Sequence, residues 1–318
     1  MAGSRAAAPG SGSHAPRPGG RHTGGRPPAA RPSGGHPPAA RPSAGELRRR
    51  RLGCAGSFLL SLFAFLAVGS AVVSGSNPLG GLLGPPIESG PADITGIEQP
   101  DAARWAGEQP DYGVDISFPQ CGRTLRDMGA GYAIVGLDGG MPDRPNPCFA
   151  AQWAFAERQA GVAVYVNTAD SNRGDPVTVG RRAARGDLAA LEENGVGPGT
   201  PIWLDVELPE VWRGSQARHR AVITEHLRVL ARNGYPVGVY SAPALWEEIT
   251  GGADLDVPIW VGIGRASRER AAATCEDLSF GDRRPDIVQR IGTGSDGKSL
   301  DRNLTCPGTD LTGLVRPT

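Results

Sequence analysis

"PIWLDVELPE", residues 201–210, runs from an apolar, strand-like segment straight into two carboxylates, Asp205 and Glu207. In an extended strand residues i and i+2 leave from the same face, so both acids enter one small volume. Ionised carboxylates are seldom placed out of water without a partner or a task. The pair therefore marks either a strand ending in solvent or a strand opening into a site.

The surrounding sequence repeats this strand pattern. "YGVDIS" (112–117), "YAIVGLD" (132–138), "VAVYVNT" (162–168), "PVGVYSA" (236–242), "PIWVGIG" (258–264) and "DIVQRI" (286–291) are short apolar runs. Several are nearly continuous, as parallel strands covered on both faces require. Between them lie amphipathic stretches at 148–161, 178–195 and 215–234, and the last two end at Gly195 and Gly234, good helix terminators. Alternation of this kind fits an α/β barrel or a doubly wound sheet.

In a barrel, the strand ends share one mouth where chemistry collects. The residues ending these strands are Asp115, Asp138, Asn167, Asp205 with Glu207, and Gln289, while Asp301 falls in "SLDRN" near the end of the chain. Singly, each reads as a helix cap or a loop residue. Together they predict a shared acidic pocket.

Composition divides the rest of the chain. Residues 1–51 hold ten Arg and one acid, Glu46, among Pro, Gly, Ala and Ser, with the repeat "PPAARPS" at 27–33 and 37–43. So few aliphatic side chains cannot offset the entropy of ordering, which predicts a disordered basic tail. No aromatic residue is interleaved to stack on bases, so anionic lipid is a better partner for it than nucleic acid. The uncharged stretch 52–75 follows "RRRR" (48–51) and is long enough to span a bilayer. By the positive-inside rule it predicts a single-pass plasma-membrane anchor with a cytoplasmic N-terminus; a cleaved signal peptide is the alternative. Cys54 sits before the apolar core of this stretch and reads as a small buried residue. Residues 76–110 read as a Gly/Pro-rich flexible stalk. Residues 111–318 remain for one extracytoplasmic domain. Net charge is zero overall, so the tail at +9 leaves the remainder at −9, which argues against a nucleic-acid partner.

The four remaining cysteines, Cys121, Cys148, Cys275 and Cys306, lie beyond the predicted span. An even number in an oxidising compartment predicts disulfides, and four cysteines allow three pairings. The local bridges Cys121–Cys148 and Cys275–Cys306 are expected. Their spacing has no CxxC, and no metal site or cofactor is expected.

"GVDIS" (113–117), "YAIV" (132–135), "PIWLDVE" (201–207), "GYPVGVYSAPALW" (234–246) and "LDRN" (300–303) occur in the order found in family 25 glycoside hydrolases, which they resemble. "VGLDGG" (135–140), "PCFAAQW" (147–153) and "GTPIWLDVE" (199–207) look more like the related glycoside-hydrolase-like domain of actinobacterial surface proteins. The resemblance implies an irregular TIM-like β/α barrel acting on cell-wall glycan such as peptidoglycan. It implies catalytic roles for Asp115, Asp205, Glu207 and Asp301, with Glu207 the general acid and Asp205 orienting the substrate's N-acetyl group. Asp138, Asn167 and Gln289 would bind substrate. The chain also departs from the muramidase pattern. Gly139 stands where their Lys-Ala-Thr-Glu-Gly segment has its glutamate, with Asp138 one position early. Tyr-His-Phe on the third strand is replaced by "YVNT", and Trp-Gln-Tyr by "VQR" (288–290). Fewer aromatic platforms leave less to stack on a sugar, so an inactive glycan-binding or scaffolding module is the alternative to an enzyme.

Other signals carry less. "RGD" occurs at 173–175 and 185–187 in a chain rich in all three residues, and "GIG" (262–264) lacks the third glycine of a dinucleotide site. His219 and His226, seven apart on one predicted helix, read as a surface face.

Overall fold

The computed structural model describes residues 93–125 and 131–318. The strands are β1 (Tyr112–Ile116), β2 (Tyr132–Gly136), β3 (Gly161–Asn167), β4 (Ile202–Asp205), β5 (Val237–Ser241), β6 (Ile259–Arg265), β7 (Ile287–Thr293), β8 (Ser299–Thr305) and the short β9 (Arg316–Pro317). The helices are α1 (Phe149–Ala156), α2 (Pro176–Glu193), α3 (Gln216–Arg232), α4 (Pro243–Thr250) and α5 (Arg268–Asp277). Strands β1 to β7 run parallel, each to the next. β8 runs antiparallel between β7 and β1 and closes the ring. The result is a closed eight-stranded α/β barrel, and the doubly wound alternative falls away because β8 joins the sheet's two ends.

Alternation along the strands explains how the barrel fills. On β4, Ile202 and Leu204 face the helices, whereas Trp203 and Asp205 face the interior. Trp203, Tyr240, Trp260, Tyr132, Ile134 and Ile287 pack the interior with Leu311, Leu314 and Val315, which plug its base. The Trp203 indole N–H donates to the Leu314 carbonyl at 3.1 Å, so even this plug satisfies its polar groups. Outside, the helices start where their sequences direct. Asp175 accepts the Thr178 amide at 2.8 Å, Ser215 that of Arg218 at 3.2 Å and Ser267 that of Arg270 at 3.1 Å. Pro176 and Pro243 occupy first-turn positions, where a missing N–H costs nothing.

Residues 93–110, assigned from sequence to a flexible stalk, lie against the barrel instead. Ile94 and Ile97 are buried, Gln99 exchanges two amide hydrogen bonds with Val237 (3.0 and 2.9 Å), and Trp105 donates to Val315 at 3.1 Å. Pro and Gly punctuate this stretch, and its sparse apolar residues find the barrel base one at a time rather than as a periodic face. The tail 1–51, the apolar stretch 52–75 and residues 76–92 lie outside the described residues. Among the described residues no helix is long and apolar enough to cross a membrane.

Both expected bridges are present: Cys121–Cys148, with Cα atoms 5.7 Å apart, and Cys275–Cys306, 5.5 Å apart. The first ties the segment after β1 to the start of α1. The second ties α5 to the segment after β8.

Candidate active site

The seven acidic and amide residues expected at the strand ends fall into a connected constellation at the mouth. Asp115 of β1 is directly opposite Asp301 of β8 in the sheet register, so two inward-facing acids are cross-strand neighbours. Burial raises the Asp115 carboxyl well above its ordinary value, and the Asp301 charge pushes it further. Its two oxygens accept from neutral amides, Oδ1 from Gln289 Nε2 and Oδ2 from Asn303 Nδ2, both at 3.0 Å. These networks extend outward. Gln289 Oε1 accepts the Tyr240 hydroxyl at 2.9 Å, and Asn303 Oδ1 accepts the Trp260 indole N–H at 2.9 Å. An indole can only donate, so Trp260 fixes the orientation of the Asn303 amide and obliges Asp115 Oδ2 to accept.

On the opposite wall, Asp205 ends β4. Its Oδ2 accepts from Asn167 Nδ2 at 2.6 Å, across the parallel pair Asn167–Asp205. Asp205 Oδ1 and Asn167 Oδ1 are both buried and have no hydrogen-bond partner among the described residues. Burial, then the Glu207 and Asp138 charges, raise Asp205 well above the usual carboxylate range. Asp138, just past β2, accepts the backbone amides of Asn167 (2.7 Å) and Gly140 (3.1 Å), and burial pushes its carboxyl up to about 7.

Glu207 lies two residues beyond the end of β4. Val206 is still held by its amide to the Tyr240 carbonyl, at 2.9 Å, so the chain stays extended past Asp205. Leu208 then turns with φ 56°, and the Trp212 indole donates to the Glu207 carbonyl at 3.1 Å, fixing the acid's backbone. Burial raises the Glu207 carboxyl to about 6, against the lowering effect of a Tyr240 hydrogen bond. Asp301 is likewise raised to about 6 by burial, with Arg123 pulling the other way. Glu207 and Asp301 are half-buried, unlike Asp115 and Asp205. The mouth thus combines two deep, disfavoured carboxylates with two shallower acids that titrate near neutral pH, the range a proton donor needs.

Aromatic residues do lie beneath these acids, although the third-strand and β7 motifs suggested a loss. Tyr240 and Trp260 pack with ring centres 4.4 Å apart, and Trp260 meets Tyr165 and Trp203 edge-on. Gly262, the first glycine of "GIG", makes room for this floor: a Cβ there would stand 2.5 Å from the Tyr240 hydroxyl. The motif is a packing feature.

Two groups of functional relevance escaped the sequence reading. Asn303 and Tyr240 complete the Asp115 network, and their signals were one inward amide on a charged strand and a lone tyrosine in an apolar run. Asn146 and Gln152 form a buried amide relay: Asn146 donates to Gly136 and to Gln152 (each 2.8 Å), and Gln152 donates to the Ser117 carbonyl at 2.6 Å. This relay fastens the β1 and β2 exits together. The histidines need correction. Rather than forming a surface face, His219 and His226 are buried. His226 bridges Asp187 (2.6 Å) and Thr168 (3.2 Å), and His219 Nδ1 meets the Ile249 carbonyl at 2.8 Å. Both acids of the "RGD" triplets have local partners too, Asp175 as a helix cap and Asp187 on His226.

Residues 138–278 match the family model described as lysozyme-like protein 1. Among solved structures, the spore cortex lytic enzyme SleM of Clostridium perfringens aligns with a TM-score of 0.50 at 13% identity, over 66% of this chain and 71% of that one. The bacterial lysozyme of Streptomyces coelicolor aligns at 0.47 and 18% identity, over 63% of this chain and 94% of that one. A family 25 glycosyl hydrolase from Bacillus anthracis aligns at 0.48 and 16% identity, over 64% and 92%. At 13% identity the SleM alignment speaks to the fold alone. No curated protein matches the chain.

Proposed function

We propose that the barrel is a glycoside-hydrolase-like domain that hydrolyses β-linked N-acetyl sugar polymers of the cell wall, peptidoglycan foremost, a reading that the match of residues 138–278 to the lysozyme-like family model supports. One observation carries this reading: Asp115, Asp205, Glu207 and Asp301 converge on one mouth, with Glu207 held near pH 6 as a proton donor. In the reaction so proposed, the Glu207 carboxyl gives its proton to the glycosidic oxygen. The substrate's acetamido oxygen attacks the anomeric carbon as the bond to the leaving sugar breaks. Asp205 Oδ1, without a partner among the described residues, accepts the acetamido N–H and stabilises the cationic ring that forms. Water, deprotonated by the Glu207 carboxylate, then opens that ring and restores the acid. Asp115 and Asp301 keep the local field negative, which favours the developing positive charge. Asp138, Asn167 and Gln289 serve substrate binding and the positioning of the acids.

The binding-module reading rests on a specific departure. Gly139, at the muramidase glutamate position, offers only its backbone, which donates to Arg144 at 2.6 Å. Full-length chain incubated with peptidoglycan and chitin-type oligosaccharides should release new reducing ends, and Glu207→Gln should abolish release while retaining binding. Absence of turnover by the unmutated chain, with binding lost in Asp205→Ala, would establish the binding module instead. We also propose that residues 52–75 anchor the domain outside the plasma membrane, with the basic tail facing cytoplasmic anionic lipid. Protease added to intact protoplasts should then digest residues 111–318 and spare the tail, whereas a soluble form starting near residue 75 would mean a cleaved signal.

A further inference from the structure

Phe118 is 45% exposed, although the segment that carries it is held on every side. It opens a single 3-10 turn directly after β1. The preceding residue, Ser117, donates its amide to Gln120 Oε1 at 2.8 Å and accepts Gln152 Nε2 at its carbonyl. Three residues later, Cys121 is bonded to Cys148. Such anchoring fixes the backbone and leaves the ring outside. Exposed aromatic area is disfavoured in water, and a loop this constrained has no freedom to tuck the ring away.

The ring's position gives it a use. A Cβ placed on Gly140 would stand 2.8 Å from Phe118 Cε1, so the ring edge lies against the Gly140 backbone. Gly140 has φ +81° and donates its amide to Asp138 Oδ1, so the ring borders the turn that presents Asp138. The Ser117 side chain bonds Tyr165, which lies close enough to feel the charges of Asp115, Asp205 and Asp138. Phe118 therefore stands at the rim of the acidic mouth. Among the described residues the other two large exposed apolar side chains do not: Tyr112 begins β1 at the barrel base, and Val177 sits on the first turn of α2 in the helical layer.

We propose that Phe118 is a rim platform on which a pyranose ring of the glycan lies, compensating for the aromatic residues missing from the third-strand and β7 motifs. It rests on the glycan reading above and adds a specificity-determining residue to it. Carbohydrate C–H groups present an apolar face, an aromatic ring accepts it, and the adjacent carboxylates take the hydroxyl and N–H groups. A glycine at 140 is then required twice, for its backbone angle and for the space the ring occupies.

The test measures binding of chitin-type tetra- and hexasaccharides to the full-length chain by calorimetry, for the unmutated protein, Phe118→Ala and Phe118→Trp. Phe118→Ala should bind about five- to tenfold more weakly while keeping the fold, since much of the side chain is already in solvent. Phe118→Trp should match or exceed the unmutated affinity. Equal affinities for the unmutated and alanine forms would overturn this platform while leaving the glycan reading intact. If the unmutated chain binds neither oligosaccharide, the glycan reading fails and the platform with it.

Discussion

The two walls of the mouth handle the same problem, a buried carboxylate, in opposite ways. On the β1–β7–β8 wall, Asp115 has both oxygens occupied by amides, each oriented by a further group, Tyr240 or Trp260. On the β3–β4 wall, Asp205 has one amide, from Asn167, and both residues keep an oxygen without a partner. A satisfied network specifies geometry, whereas an unsatisfied buried acceptor costs stability until something donates to it. The first wall is a frame; the second is built to receive a ligand.

Experiments can break this contrast, beginning with the largest effect. Asp205→Asn keeps the shape of the open wall and removes its charge, so turnover at saturating glycan should fall by about 10²–10³-fold. Reducing-end assays would reveal this, and a loss under threefold would mean that Asp205 is not the acid facing the reacting sugar. Replacing Cys121 and Cys148 together by Ser should cost about 2–4 kcal/mol in urea unfolding, because the bridge joins the β1 and β2 exits beside the mouth. Trp260→Phe attacks the frame and also trims the aromatic floor beneath it. It strips the donor from Asn303 Oδ1 and should cost about 1–3 kcal/mol, with the loss visible in the same unfolding curves. Unaltered stability would mean that the indole bond does not orient the network.

The smallest expected effect is electrostatic. Glu207 and Asp301 are raised to about 6 and Asp138 to about 7. An acid with a raised folded pKa keeps its proton in the native state after the unfolded chain has lost it. Stability should therefore decrease as pH rises from about 4 to about 7. A melting series across this range should fall as pH rises, with each 1 kcal/mol lost moving the midpoint of a domain this size by about 2–4 °C. Asp301→Asn removes a charge from the cluster and should raise the melting temperature at pH 7 while flattening the series. A melting temperature that rises with pH would reverse the assignment of these acids as disfavoured.

How legible this was from sequence depends on how local each signal is. The seven apolar runs located β1 to β7 because parallel strands covered on both faces must be continuously apolar, and Asp115, Asp205 and Gln289 stood out against that background. β8 was invisible as a strand. "SLDRNLT" alternates Leu300 and Arg302 outward with Asp301 and Asn303 inward, so its periodicity resembles a loop with charges. Its identity depends on β1 and β7, far away in sequence, and no local pattern encodes that. Helices α4 and α5 were missed for a related reason: they are short, and α5 has no large aliphatic residue to mark a periodic face, being held by Ser267 and the Cys275–Cys306 bridge. The buried histidines were misread because a helix packed between a barrel and its neighbours has little free surface, which the spacing of two residues cannot disclose.

The antiparallel β8 also governs how the molecule is made. It supplies two of the eight seams of the ring, and until it docks, β1 and β7 are both bare sheet edges. Its partner β1 lies at the opposite end of the domain's sequence, so the last seam closes one of the longest loops in the chain, a topology that folds slowly. During that interval the exposed edges of Val- and Ile-rich strands can pair with those of another copy. Self-association should thus peak early in refolding, rise steeply with protein concentration, and subside once the final seam has formed.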